Sequence, residues 1–151
     1  EAVGFDDVLG GLYMELDLGN ARTGQFFTPY PVSKMMAMIV VGDADQVRAS
    51  GVLDAAEPAC GAGGMVIALA DALQQMGVNY ALHLHVTCTD VDLRCVHMTY
   101  LQASLLHIPA IVQHGNSLSS EVWSRWYTPA HILGGWAHRL QQHRERKWSA
   151  H

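Results

Sequence analysis

Apolar positions in the first third of the chain repeat at helical intervals. Residues 5–18 have the pattern of an amphipathic helix. After a polar, turn-rich loop, Thr28 is placed to cap a second helix, whose first turn tolerates proline. The apolar residues that follow are spaced three and four apart, which predicts one buried stripe on that helix: Val32, Met35, Met36, Ile39 and Val40. Residues 42–50 are polar and predict a connection.

Beyond residue 50, short apolar runs alternate with helical patterns. Strands are predicted at residues 52–56, 81–89, 110–113 and 122–127, and helices at about residues 64–76 and 92–107. This alternation predicts an α/β fold, in which a parallel sheet has helices on both faces. Right-handed crossovers place the ends of successive parallel strands at one edge. We therefore expect the turn after residue 56 to meet Asp90 and Asn116 at that edge.

The composition fits one folded domain. The chain has 151 residues, half of them apolar, and neither a membrane-spanning apolar run nor a signal-peptide pattern is present. It begins with Glu1 rather than Met, so the numbering can start inside a longer product. We divide the chain into an N-terminal helical segment (1–50), a Rossmann-like core (51–137) and a polar basic tail (138–151).

Charge and cysteine content limit the partners and the compartment. A net charge of −5 does not fit the broad basic surface of an independent nucleic-acid binder. The one basic cluster is better explained as a solvated helix face than as a phosphate contact: Arg139, Arg144, Arg146 and Lys147. The three cysteines form no CxxC pair, which predicts reduced thiols and a cytoplasmic location.

The sequence EPACGAGG, residues 57–64, is the most informative motif. It follows a short apolar strand and opens a helix, an arrangement that suits a nucleotide-like ligand at the end of a parallel strand. Glycines let the backbone approach the ligand, and the helix start offers free N–H groups. Cys60 lies in this turn, but no partner base is evident, so we expect a packing role rather than a nucleophile.

The residues around this motif favour S-adenosylmethionine over a dinucleotide or a nucleoside triphosphate. The chain lacks both the G-x-G-x-x-G fingerprint and a Walker-type G-K-[ST]. Glu57 disfavours a pyrophosphate but can face the ammonium group of S-adenosylmethionine. Asp90 can accept hydrogen bonds from ribose hydroxyls, and Asn116 can contact the adenine edge. Thr28, at a helix start, can hold the carboxylate.

Four motifs in order then resemble a known family: GQFFTP, EPACGAGG, TDVD and HGNSL, within residues 24–118. This order is similar to that of N6-adenine DNA methyltransferases, above all the methylation subunits of type I restriction-modification systems. Residues 7–13 also match the D-x-L-G-x-x-Y opening of those subunits. The resemblance implies a SAM-dependent methyltransferase fold, here truncated and preceded by a helical segment.

The resemblance also implies residue roles. Thr28 would meet the methionine carboxylate, the glycine turn would wrap the methionine and ribose, and Asn116 would replace the family's usual aspartate, keeping an acceptor without its charge. The expected cofactor-binding residues are Phe27, Thr28, Glu57, Pro58, Ala59, Cys60, Gly61, Gly63, Asp90, Val91, Asn116 and Ser117.

The largest departure from the family is at its catalytic motif, [ND]-P-P-[YFW] after the fourth strand. The nearest match is residues 128–131, so Thr128, Pro129 and His131 are the catalytic candidates. Threonine lacks the planar amide that accepts hydrogens from the target amino group. Two functions lead: a DNA adenine N6-methyltransferase that acts with other subunits, and a catalytically silent SAM-binding protein that modulates a methylase or restriction system. Methylation of RNA, protein or a small molecule stays open as a third, since the cofactor half of the fold does not name the substrate.

Partner predictions follow from the small number of strands. Four strands would leave residues 122–127 as an exposed edge, where Trp123, Trp126 and Tyr127 either cover the core or bind a partner. We expect DNA to be bound through other subunits or a missing region, and a homodimer or restriction-modification partner to bind through residues 122–136. No metal site is expected, because the histidines and cysteines show no recognisable ligand spacing.

Overall fold

The computed structural model describes residues 4–16 and 27–149. Within these ranges the chain forms eight helices and four strands. Their bounds are α1 Val8–Glu15, α2 Tyr30–Val41, α3 Ala44–Ser50, β1 Leu53–Glu57, α4 Gly64–Gln75, α5 Tyr80–His83, β2 Leu84–Asp90, α6 Leu93–Leu105, β3 Ala110–Asn116, β4 Glu121–Tyr127, α7 Pro129–Leu133 and α8 Trp136–Ser149. No helix in the described ranges is long and apolar enough to cross a membrane.

The four strands form one mostly parallel sheet, which confirms the predicted α/β fold. The strand order is β1-β2-β3-β4, with β1, β2 and β3 parallel. However, β4 runs antiparallel to β3, so the expectation that all strand ends share one edge is wrong for β4. Its last residue, Tyr127, pairs with Ile111 near the start of β3.

A tight reversal at the end of β3 explains the direction of β4. Asn116 accepts hydrogen bonds through Oδ1 from the backbone N–H groups of Leu118 and Ser119, which closes a turn. The register shifts at Gly115, where an added Cβ would lie 2.3 Å from the carbonyl oxygen of Glu121. Only glycine fits this approach, and the connection is too short for the helical crossover that a parallel strand needs.

The two faces of the sheet have different coverings. On one face, the apolar side chains of β2 and β3, such as Val86, Cys88 and Val112, join α4 and α6 in the main core. On the other face, His85 points away from that core and contacts His131 of α7 and Trp136 of α8. The boundary expected between residues 137 and 138 therefore falls inside a continuous helix that begins on the sheet.

The predicted buried stripe of α2 is wrong. Met35 and Ile39 are 60% and 75% exposed, and the buried residues of α2 are Ser33, Ala37 and Val41. These small residues let α2 lie close to α4. Polar bonds fix the contact, because the buried Asp71 of α4 accepts a hydrogen bond from the Tyr30 hydroxyl and pairs with Lys34 at 2.9 Å. Close packing of small residues outweighed hydrophobicity in choosing the inner face.

Two shorter segments also differ from the pattern. Residues 42–50, predicted as a connection, contain α3, which is capped by the side chain of Asp43 and ended by Gly51 in a left-handed conformation. The second strand begins at Leu84 rather than at residue 81, because residues 80–83 form the single turn α5. Asn79 caps that turn by accepting a hydrogen bond from the N–H of Ala81.

Candidate functional site

The glycine turn between β1 and α4 has a backbone that only glycine adopts easily. Gly61 and Gly63 have φ values of 55° and 99°. A Cβ on Gly61 would lie 3.1 Å from the ring of Phe27, and one on Gly63 would lie 3.2 Å from Oγ1 of Thr99. The turn therefore passes between an aromatic ring and α6 with no room for larger residues.

Two side chains of α6 hold this turn from below, and sequence reasoning did not single out either. Thr99 donates a hydrogen bond from Oγ1 to the carbonyl oxygen of Gly61 at 2.8 Å. Gln102 donates from Nε2 to the carbonyl oxygen of Ala62 and to Oδ1 of Asp7, at 2.8 and 2.7 Å. Their spacing of three residues on a helix is a signal that could have been noticed, but no motif marks it.

Asp90 supports the glycine turn from the neighbouring strand. Its Oδ2 accepts a hydrogen bond from the N–H of Gly61, and its Oδ1 accepts one from the N–H of Asp92, both at 2.9 Å. The turn, Asp90 and Asn116 do lie at one edge of the sheet. The contacts of Asp90 within the protein are nevertheless structural, and they leave its remaining lone pairs for a ligand.

Two cavities open on either side of Glu57. The first, of about 200 Å³, is lined by Asp7, Phe27, Thr28, Met36 and the glycine turn. The second, of about 270 Å³, is lined by Pro58, Asn116, Ser117 and the polar side chains of β2 and β3. Together they exceed the volume of about 300 Å³ at which typical small-ligand sites begin.

Glu57 is a carboxylate in an unfavourable environment. Burial is the main cause that raises the pKa of Glu57 above its ordinary value, and the nearby charge of Asp90 adds to it. The N–H of Ala59 donates to its Oε1 at 3.2 Å and partly offsets these effects. A cation in either cavity would relieve both the desolvation and the repulsion.

Asp7 contributes a second carboxylate to the first cavity. It caps α1 through Oδ1, which accepts from the N–H of Gly10 at 2.9 Å as well as from Gln102. Its Oδ2 would lie 2.2 Å from a Cβ on Gly10 and 2.9 Å from one on Gly64. The glycines at these positions therefore make room for one buried acidic side chain beside the turn.

Phe27 and Thr28 close the first cavity from the N-terminal side. The ring of Phe27 covers Gly61 and stacks on Tyr13 with ring centroids 5.2 Å apart. Thr28 does not cap α2 as predicted, because the N-cap residue is Pro29 and no side chain caps this helix. Thr28 instead faces the cavity. The first three residues of the GQFFTP motif lie outside the described residues.

The remaining cofactor candidates differ in position. Ser117 donates a hydrogen bond to the carbonyl oxygen of Pro58 and so links the end of β3 to the glycine turn. Asn116 lines the second cavity, although its Oδ1 is already used in its own turn. Val91 is exposed. Burial raises the pKa of Cys60 to about 12, so its thiol is protonated and inert, and it packs under the turn.

The three catalytic candidates lie at the opposite edge of the sheet. The Oγ1 of the buried Thr128 accepts from the N–H of Ala110 at 2.9 Å and donates to the carbonyl oxygen of Ile108 at 2.8 Å. Ala110 begins β3 and Asn116 ends it, which separates the two edges by roughly 20 Å. Pro129 and His131 belong to α7 beside Thr128. These residues therefore do not lie beside the glycine turn, and their catalytic role stays a prediction.

A buried network of polar side chains lies at that opposite edge. Nε2 of His85 lies 3.0 Å from Nδ1 of His131, and Nδ1 of His85 lies 3.4 Å from Oδ1 of Asp54. Burial and the neighbouring His85 lower the pKa of His131, whereas the contact with His85 lowers the pKa of Asp54. Trp136 covers the pair from α8. This network joins β1, β2 and α7, and it was not predicted from the sequence.

The aromatic residues of the predicted edge strand lie against α6 and β3. β4 is an edge strand, and its Trp126 packs on His97 and Tyr100 of α6, while Trp123 packs on His114. The rings therefore cover part of α6 while staying partly exposed. Among the described residues, no group of three or more histidine, cysteine or acidic side chains could hold a metal ion.

Comparison with known proteins identifies a family. The family model described as N-6 DNA Methylase matches residues 6–133, which is most of the chain. The match includes α1, the glycine turn, Asp90 and Asn116, and it ends in α7. No curated protein matches the chain.

Proposed function

This chain belongs to the N-6 DNA methylase family, and we propose that its glycine turn binds S-adenosylmethionine as the donor of a methyl group for adenine N6 in DNA. The family is generally dependent on this donor. The observation that carries the proposal is the pairing of a glycine-only backbone with two carboxylates at one cavity. Glu57 and Asp7 both border the space next to Gly61.

The chemistry of these groups fits the donor. S-adenosylmethionine carries an activated methyl group on a positively charged sulfonium, together with an ammonium group. The carboxylates of Glu57 and Asp7 offer the negative charge that such a cation needs. Burial raises the pKa of Glu57, and a positive charge beside it would stabilise its ionised form. A pyrophosphate would meet repulsion at the same place.

The two cavities divide the ligand between them. The methionine end fits the first cavity, where Thr28 and the turn provide polar groups, and the nucleoside end fits the second, with Asn116 and Ser117. Asp90 reaches the ribose through the lone pairs that Gly61 and Asp92 leave free. Val91, next to Asp90, is an exposed apolar side chain available to the adenine.

The second candidate is a SAM-binding protein without transferase activity of its own. The observation in its favour is the position of Thr128, Pro129 and His131 at the edge away from the glycine turn. Under this alternative the protein modulates a methylase or restriction system, and under the first it acts with partner subunits that supply the acceptor site.

Calorimetric titration with S-adenosylmethionine tests the donor site. Loss of a charged hydrogen-bond partner in Glu57→Ala should weaken binding about tenfold or more. Glu145→Ala is the control, because it removes an exposed carboxylate of α8. Absence of binding to the unaltered protein, or equal binding by both variants, would overturn the proposal.

Methyl transfer separates the two candidates. Labelled methyl groups from S-adenosylmethionine would be followed into unmethylated duplex DNA, with the protein alone and with candidate partner subunits. Transfer that depends on Glu57 supports the enzyme. Tight donor binding without transfer in any combination supports the silent protein.

A further inference from the structure

The positive charges of the described residues are distributed unevenly. Lys34, Arg48 and Arg94 form ion pairs with carboxylates at 2.9, 2.7 and 2.7 Å. In contrast, Arg146 and Lys147 of α8 form no ion pair with the described residues. Arg144 has its nearest carboxylate oxygen, in Asp54, at 3.9 Å. Among the described residues of a chain with net charge −5, the cations without a close carboxylate therefore lie in this one helix, apart from Arg125 of β4.

The first half of α8 is fixed on the sheet. Trp136 and Leu140 are buried, and the guanidinium of Arg139 lies 3.9 Å from the centre of the Trp136 ring. Arg139 also donates a hydrogen bond to the carbonyl oxygen of Leu82, which ties the helix to α5. Arg139 is thus a structural cation, and the direction of α8 is set by its buried half.

The second half of α8 extends into solvent with its cations exposed. From Arg144, which is 71% exposed, every described side chain of the helix is exposed, and Trp148 reaches 88%. Glu145 is the only acidic residue of the helix, and the Gln141 amide already donates to its carboxylate. The end of α8 is therefore a positive projection with an exposed aromatic ring.

Helix stability explains only part of this charge. Cations in the last turn favour the negative end of the helix dipole by about 0.3–1 kcal/mol each, an effect that fades within that turn. Arg144 lies a turn earlier and would gain little. The dipole also gives no reason for a large exposed indole at the same end.

We propose that the exposed end of α8, formed by Arg144, Arg146 and Lys147, contacts the phosphate backbone of duplex DNA. The inference rests on the proposed function, which makes DNA the acceptor. Lysine and arginine that neutralise phosphates supply sequence-independent affinity, and an otherwise acidic protein needs such a patch to offset general repulsion. The buried half of α8 gives these contacts a fixed orientation, so the helix positions the duplex without reading its sequence.

The salt dependence of DNA binding tests this contact. Fluorescence anisotropy of a labelled duplex would be measured between about 25 and 150 mM salt. Each lost phosphate contact should reduce the slope of log K against log salt by about 0.9 and weaken binding about tenfold near 50 mM salt. Lys147→Gln should therefore lose one unit of slope, and Arg146→Gln with Lys147→Gln should lose about two.

Arg125→Gln is the matched control, because Arg125 is an exposed cation of β4 with no ion pair among the described residues. It should leave the slope unchanged. No measurable DNA binding by the unaltered protein, or an equal slope change in Arg125→Gln and Lys147→Gln, would overturn the proposal. Circular dichroism checks that α8 remains helical, since a purely structural role would lower helicity rather than the slope.

Donor titration on the same proteins keeps the two proposals apart. The α8 variants should bind S-adenosylmethionine as the unaltered protein does. DNA binding with the predicted slope changes but no donor binding would remove the proposed function and leave the α8 contact. Donor binding without DNA binding would remove the α8 contact and leave the proposed donor site.

Discussion

At the carboxyl-terminal ends of β1 and β2, polar groups border two cavities, whereas at the other end of the sheet they contact only one another. Glu57 faces open space and has a raised pKa. Thr128 and His131 are buried: the hydroxyl of Thr128 is hydrogen-bonded to the backbone of Ala110 and Ile108, and Nδ1 of His131 contacts Nε2 of His85. The difference shows that a polar side chain at a strand end indicates a ligand site only when it also borders open space.

The largest predicted difference, in stability and in donor affinity, comes from comparing one substitution at each end of the sheet. Thr128→Val removes a buried hydroxyl that both accepts from Ala110 and donates to Ile108, so it should lower the free energy of unfolding by about 2 kcal/mol. Donor affinity should not change, because this edge is remote from Glu57. Chemical denaturation and donor titration measure the two effects.

Thr99→Val is the matched change beneath the glycine turn. It removes one hydrogen bond to the carbonyl oxygen of Gly61 and should cost about 1 kcal/mol of stability. It should also weaken donor binding several-fold, since the turn loses a support. If Thr128→Val weakened donor binding as much as Thr99→Val, the two ends would not differ in the way we infer.

Acidification should have the next largest effect on the stability of the fold, and it should act through His131. The pKa of His131 in the folded protein lies below its ordinary 6.5, so the unfolded chain takes up the proton first. The stabilisation is present above pH 6.5 and is lost as the pH falls through the folded value. Burial is the main cause of this lowered pKa, and the neighbouring ring of His85, 3.0 Å away, adds to it.

Thermal unfolding followed between about pH 7 and pH 5 checks this dependence. His131→Gln keeps a hydrogen-bonding side chain but cannot titrate, so its melting temperature should fall less over the same range. An identical fall in both proteins would assign the acid sensitivity to other groups.

The smallest predicted effect is a gain in stability from Glu57→Gln. A carboxyl whose pKa is raised on folding stabilises the fold only while protonated, and this contribution is lost as the pH rises through the folded value. At pH 7 the variant should therefore melt slightly higher than the unaltered protein, and the difference should vanish in acid. Donor affinity should nevertheless fall, because the ligand loses its counter-charge. A lower melting temperature at pH 7 would contradict the pKa direction.

Much of the fold could be predicted from the sequence because its signals are local. The alternation of short apolar runs with helical patterns gave β1, β2, β3, α4 and α6, and the glycines of residues 57–64 gave the turn. The direction of β4 could not be predicted in this way. It depends on the tight reversal after Asn116 and on the close approach of Gly115 to Glu121, neither of which shows in the alternation of apolar and polar residues.

The candidate site could be predicted only in part from the sequence, for the same reason. Glu57 and Asp90 were visible because each follows a strand, but Asp7, Thr99 and Gln102 carry no pattern that distinguishes them from other polar helix residues. The buried stripe of α2 failed because hydrophobicity alone does not choose the packed face. Ser33 and Ala37 allow α2 to approach α4 more closely than methionine would.

The hydrogen bond from Gln102 to Asp7 has a consequence for the order in which the protein folds. It joins residues 95 positions apart, and the same amide holds Ala62 in the glycine turn. A growing chain therefore cannot complete the turn from local sequence, and α1 must wait until α6 has been synthesised before it can dock. The cavity beside the glycine turn is therefore completed late, when α1 and α6, which lie far apart in the sequence, come into contact.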